Sequence, residues 1–138
     1  MRVQLALNVT DLDEAVGFYS KMFGIEPSRE RPGYANFAIA DPPLKLVLFE
    51  RPDQPSGSLN HLGVETETAD EVADAEARLA ASGLATSGVD DTACCYATKT
   101  ETWVDGPEGH RWEWYVRTGD SEQLSNVVMA GGSGTCCG

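Results

Sequence analysis

The stretch VQLALNV, residues 3–9, alternates strictly, with apolar Val3, Leu5, Leu7 and Val9 separated by Gln4, Ala6 and Asn8. A period of two predicts a strand with one apolar face and one mixed face. The period then changes. Leu12, Ala15, Val16, Tyr19, Met22 and Phe23 fall at helical spacing, Thr10 stands where it can cap the helix with Asp13 at N3, and Gly24 ends it. Pro32-Gly33 introduces YANFAIA, and Asp41-Pro42-Pro43 introduces LKLVLFE. These two runs predict an antiparallel pair.

The same plan recurs further on. NHLGVET, residues 60–66, predicts a strand, and Thr68-x-x-Glu71 is a capping box for a helix carrying Val72, Ala75 and Leu79 as far as Gly83. A short strand is expected near Leu84 to Val89, then the segment DDTACCYATKT, a strand to Val104, the turn DGPEGH and a last strand RWEWYVR. Each half is expected to follow a β-α-β-β-β plan. The expected fold is α+β: two βαβββ modules, about 1–52 and about 58–117, forming one domain (1–117) whose sheets curve around a shared cleft. Residues 118–138 show no periodicity and end in GGSGTCCG, which predicts a flexible tail.

Composition narrows the classes. A chain of 138 residues suits one domain. No basic segment precedes an apolar run and no stretch of eighteen apolar residues occurs, so a soluble, cytoplasmic protein is expected. The formal charge of −12, with only ten Lys and Arg, argues against nucleic acid and anionic membrane as partners.

The four cysteines form two adjacent pairs, Cys94-Cys95 and Cys136-Cys137. Neighbouring Cα atoms lie about 3.8 Å apart, whereas ordinary disulfides want roughly 4.4–6.8 Å, so a bridge within a pair would be strained and reducible. Zinc knuckles and thioredoxin-like motifs space their cysteines further. Adjacent thiols instead suit a soft trigonal centre, with trivalent arsenic the leading candidate and cadmium another. Consecutive strand residues face opposite ways, so this segment is expected to leave strand geometry as a mobile loop.

A second constellation comes from the repeat. Gln4 and His61 occupy matching positions on the first strands of the two modules, and Glu113 lies on the final strand between Trp112 and Trp114. A carboxylate in that setting needs a cation or hydrogen-bond partner. The matching position of module one falls near Leu48, which ligates nothing. Gln4, His61 and Glu113 are thus expected to form a three-ligand site for a catalytic divalent metal, close to the facial arrangement of non-haem Fe(II) enzymes. Tyr34, Tyr96 and Lys99 are candidates for lining the pocket. His110, in a Gly-Pro turn, is expected to be exposed and structural.

The paired β-α-β-β-β plan with these ligands resembles the vicinal oxygen chelate superfamily of glyoxalases, extradiol dioxygenases and fosfomycin-resistance thiol transferases. VQLALNV, FYSKMFG, RPGYANFAIADPPLKLVLFE, HLGVE, DTACCYA and GPEGHRWEWYV resemble, more closely, the organoarsenical C–As lyases and cadmium-induced proteins. The resemblance implies a vicinal oxygen chelate fold around a metal-binding cleft. It further implies an Fe(II)-dependent dioxygenase that uses O2 to cleave trivalent organoarsenicals. Methylarsenite would give arsenite and formaldehyde, and trivalent aromatic arsenicals would be split similarly. The metal would lie on Gln4, His61 and Glu113, and the arsenic on Cys94 and Cys95. Two alternatives stay open: a thiolate protein that sequesters cadmium or arsenite, and other superfamily chemistry such as glyoxalase or thiol-transferase activity. Monomer and homodimer are both compatible with the sequence.

Overall fold

The computed structural model describes residues 1–55, 57–122, 124–125 and 127–128. The chain divides into two compact units, Arg2–Leu62 and the residues from Gly63 onward with Met1.

The first unit holds β1 (Arg2–Val9), α1 (Leu12–Phe23), β2 (Arg29–Arg31), β3 (Tyr34–Ile39) and β4 (Leu44–Glu50). Its strand order is β2-β3-β4-β1, with β1 parallel to β4 and the other pairs antiparallel. Asp11, rather than the expected Thr10, caps α1, its carboxylate accepting from the Glu14 backbone N–H at 3.0 Å. Asp is the better cap, and its charge is favoured at a helix N-terminus. Gly24 closes the helix in the left-handed region at φ 67°, a conformation that costs glycine little.

The apolar face of β1 packs beneath α1. Leu5, Leu7, Val9, Leu12, Ala15, Val16, Tyr19 and Phe23 surround a fully enclosed cluster of Phe37, Ile39, Leu46 and Leu48. Each such side chain contributes about 1.5–3 kcal/mol through burial. The mixed face of β1 is nevertheless the more buried one, since Gln4, Ala6 and Asn8 are all inaccessible whereas Val3 is half exposed. The parallel register pairs Gln4 with Lys45, Ala6 with Val47 and Asn8 with Phe49. Paired residues share a face, so Val47 and Phe49 stand on the Gln4 side and Leu48 belongs to the helix-side core. The module-one position compared with Glu113 is therefore displaced from Leu48 by one residue, and neither neighbour is a ligand.

β5 (Leu59–Glu65) crosses from the first unit into the second, which continues with α2 (Ala69–Ala81), β6 (Asp90–Cys94), β7 (Ala97–Asp105), β8 (Arg111–Asp120) and β9 (Val127–Val128). The order β8-β7-β6-β9 is antiparallel throughout. Thr68 caps α2 as expected, accepting from the Glu71 N–H at 3.2 Å, and Val72, Ala75 and Leu79 are its buried stripe. The β-α-β-β-β plan therefore occurs twice.

Two boundaries differ from expectation. Leu84 to Val89 makes only an isolated bridge, Thr86 to Val104, and the strand forms instead over Asp90–Cys94. Leu84 and Val89 are exposed, whereas Thr92 and Cys94 are buried, so burial selects the later stretch. The region expected to be a tail from 118 begins as the end of β8, and Val127 and Val128 pair with Ala93 and Thr92. Backbone pairing to an open strand edge needs no side-chain periodicity, which is why it left no pattern. Cys136 and Cys137 lie outside the described residues. Among the described residues no helix is long and apolar enough to cross a membrane.

Candidate active site

The first unit brings Gln4 and His61 together. Both are buried, and Gln4 Nε2 lies 2.9 Å from His61 Nε2. His61 Nδ1 is 2.8 Å from Asn60 Oδ1, and Asn60 Nδ2 donates to Asn8 Oδ1 at 2.9 Å. That second bond fixes the Asn60 amide with its oxygen toward the ring. Because an amide oxygen only accepts, Nδ1 carries the proton and Nε2 presents its lone pair to Gln4. Asn8 passes the chain on, donating to Ser58 Oγ at 3.1 Å. A buried neutral imidazole, oriented through Nδ1 with Nε2 ready to donate, meets the requirements of a metal-ligating histidine. A half-turn of the Gln4 amide would present Oε1 beside it. The Phe49 ring, 6.2 Å from that of His61, and Tyr34, edge-on to Phe49 at 5.5 Å, back this group with aromatic surface.

The second unit holds Glu113. Strand alternation turns its side chain away from Trp112 and Trp114, and it is wholly inaccessible. The required partner is Lys99, itself 5% exposed, whose Nζ lies 3.2 and 3.4 Å from the two carboxylate oxygens. The ammonium also sits 5.0 Å above the Tyr115 ring, a favourable cation–π arrangement. Glu101, two residues along the same face of β7, approaches Lys99 at 3.6 Å. It is 1% exposed and neither of its oxygens makes a hydrogen bond among the described residues. Burial pushes its carboxyl up from 4.5 to about 7; Lys99 pulls the other way, and the charge of Glu113 adds to the rise. Glu101 escaped the sequence reading. The available signal was two charged residues, Lys99 and Glu101, alternating toward the face that carries Trp103.

Cys94 and Cys95 are also in the second unit, and their Sγ atoms lie 2.9 Å apart. Cys94 is the last residue of β6, and its partner Ala97 is the first of β7. Cys95 and Tyr96 alone connect the strands, at φ 55° and 60°. Both central residues in the left-handed region define a type I′ hairpin turn, normally built from Asn and Gly. For a bulky residue such as Tyr this conformation is strained, at about 1–3 kcal/mol per residue. The turn is buried rather than an open loop, and its two left-handed residues take the segment out of strand geometry, as expected. Its backbone is anchored from the chain beyond β8: Cys95 N–H donates to Leu124 O and Ser121 N–H to Tyr96 O, each at 3.0 Å. The register places Cys94 on the face of Lys99, Glu101 and Glu113. Ala97 is six residues along β7 from Trp103, the residue opposite Glu113, or roughly 20 Å of extended strand at ~3.3 Å per residue. His110 is exposed in its turn, as expected.

The donors thus fall into two sets, Gln4 with His61 and Glu113 with Lys99. Among the described residues no three His, Cys, Asp and Glu side chains group as metal ligands, and the candidate set includes an amide as its third member. A neutral imidazole and a buried carboxylate are suitable donors for a divalent ion of intermediate softness.

A repeated βαβββ unit with a histidine on the first strand of its second copy and a carboxylate on the last defines a class. The chain belongs to the Glyoxalase/Bleomycin resistance protein/Dioxygenase superfamily, whose profile matches residues 2–114. Within it, the chain is similar to a trivalent organoarsenical cleaving enzyme from Thermomonospora curvata, 56% identical over 126 residues that make up 91% of this chain and 83% of the relative. It is also similar to the cadmium-induced protein CadI of Mycobacterium tuberculosis, 51% identical over 99% of this chain and 92% of that protein. Among solved structures, the Mn(II)-bound glyoxalase of Novosphingobium aromaticivorans shares the fold with a TM-score of 0.63 at 17% identity, over 87% of this chain and 40% of that one. An extradiol ring-cleaving dioxygenase from B. fuscum does so at 0.60 and 23% identity, over 90% and 34%.

Proposed function

We propose that this protein is an Fe(II)-dependent dioxygenase that cleaves the carbon–arsenic bond of trivalent organoarsenicals. The observation that carries the reading is the pair of sulfurs 2.9 Å apart in a buried turn, in a chain 56% identical to an enzyme named for that cleavage. Gln4, His61 and Glu113 would hold the metal. Bound there, Fe(II) would supply the activation of O2.

The residues of the chain do the rest. Cys94 and Cys95 bind methylarsenite by exchange: two As–S bonds form, two As–OH bonds break, and the thiol protons leave with the hydroxides as two waters. Arsenic stays trivalent and its methyl group remains available. The overall reaction, CH3As(OH)2 + O2 → As(OH)3 + HCHO, balances without a further reductant, because carbon loses the four electrons that O2 gains. The strand length between Cys94 and the residue opposite Glu113 calls for the turn to bend toward the metal donors, and relief of its left-handed backbone favours that movement. Burial around the thiols and the donors excludes water from the reacting carbon.

A second reading, sequestration of cadmium or arsenite, draws on the likeness to a cadmium-induced protein. It needs the cysteines and leaves Gln4, His61 and Glu113 without a role. The test gives anaerobically purified, Fe(II)-loaded protein methylarsenite with and without O2. Equal amounts of formaldehyde and arsenite, formed only with both iron and O2, are expected. Tight arsenical binding without products would overturn the proposal in favour of sequestration.

A further inference from the structure

Glu113 cannot serve a metal while both of its oxygens are bonded to Lys99 Nζ, at 3.2 and 3.4 Å. A divalent ion and an ammonium on one buried carboxylate repel each other at close range and low polarizability, where charge interactions are strongest. Lys99 must therefore move when the metal arrives. It is 5% exposed, and a buried ammonium needs another anion. Glu101 is placed to be that anion. It lies 3.6 Å from Nζ on the same strand face, and its two oxygens make no hydrogen bond among the described residues. The Tyr115 ring, opposite Glu101 in the register and 5.0 Å below the ammonium, supports the cation along the way.

We infer that Lys99 holds the metal-ligand position in the absence of metal and is handed from Glu113 to Glu101 when a divalent cation binds, which makes Glu101 a positioning residue for the metal site. The inference rests on the reading of Glu113 as a metal ligand. Handover keeps the buried charge paired in both states: Lys99 with Glu113 before, metal with Glu113 and Lys99 with Glu101 after.

The test is a double-mutant cycle on anaerobic Fe(II) affinity, read by competition with a chromogenic chelator on the purified full chain. Glu101→Gln keeps shape and removes the receiving charge, and it is expected to weaken Fe(II) binding about 10–100-fold, the range for lost supporting partners of metal ligands. In a Lys99→Met background, with no ammonium to relocate, the same change is expected to alter affinity by less than about threefold. Fe(II) binding by Glu101→Gln equal to wild type would overturn the inference. So would an undiminished deficit in the Lys99→Met background, because Glu101 would then act without Lys99. Glu113→Gln is the control for the underlying reading. If it binds Fe(II) as tightly as wild type, Glu113 is not a ligand and that reading fails first.

Discussion

Glu101 offers the sharpest check on the electrostatics of the second unit. Its carboxyl is raised from 4.5 to about 7, chiefly by burial. A group with a higher pKa in the folded than in the unfolded chain makes the native state bind more protons between those two values, so stability falls as pH rises through that window. The contribution is fully present below about pH 4.5 and lost by about pH 7. At ~1.36 kcal/mol per pH unit, the rise of about 2.5 units sets a ceiling of about 3 kcal/mol. Glu101→Gln abolishes the titration while keeping the Lys99–Glu113 pair. Relative to wild type, the metal-free variant should be nearly unchanged at pH 4.5 and more stable by up to about 3 kcal/mol at pH 8. For a chain of this length that is roughly 10 °C in melting temperature. Urea titrations at both pH values, with chelator present, measure the difference between variant and wild type, in which the other carboxylates cancel. Equal midpoints for the two proteins at pH 8 would refute the argument, because burial would then not be raising the Glu101 carboxyl above its unfolded value.

Other expectations follow from the same geometry. Asn60→Ala removes the acceptor that fixes the His61 ring through Nδ1, and should weaken Fe(II) binding about 10–100-fold with little change in arsenical retention; unchanged metal affinity would separate His61 from the metal. Cys94→Ala should abolish both arsenical retention and turnover, and full turnover of methylarsenite by the variant would remove the thiols from the mechanism. Leu48 is wholly buried under α1, so Leu48→Ala should cost about 2–5 kcal/mol in urea unfolding. Chelation of the purified protein should stop product formation, with Fe(II) restoring it; full activity under chelation would exclude a metal role.

The repeat was legible in those elements that carry their own period, whereas β2, the three charged residues Arg29–Arg31, carries none and was not read from the sequence. VQLALNV cannot be other than a two-sided strand, and Thr68 to Gly83 has a cap, a stripe and a stop. The pairing of Gln4 with His61 was legible for the same reason, since equivalent positions in a repeat take equivalent places on its strands. Edges and contacts were not. Asp11 outcompeted Thr10 by one residue, a choice between two neighbouring caps that differ by tenths of a kcal/mol. The segment after β8 joins β6 through backbone bonds, to which side-chain periodicity is blind. The cysteine segment was read as a loop because two consecutive strand residues face opposite ways, yet a turn of two left-handed residues keeps both sulfurs buried and close together.

Composition and local pattern by themselves determined the α+β repeat, the adjacent thiols and the three candidate ligands, all of which depend on residue type, on the period within each element and on the recurrence of those elements along the chain. Only the tertiary structure decided that Glu113 is held by Lys99 and that Glu101 lies beside them without a hydrogen bond. Those facts depend on which strands become neighbours and in what register. Charge interactions in a buried site are set by separations of a few ångströms between residues far apart in the chain, and no local period encodes them.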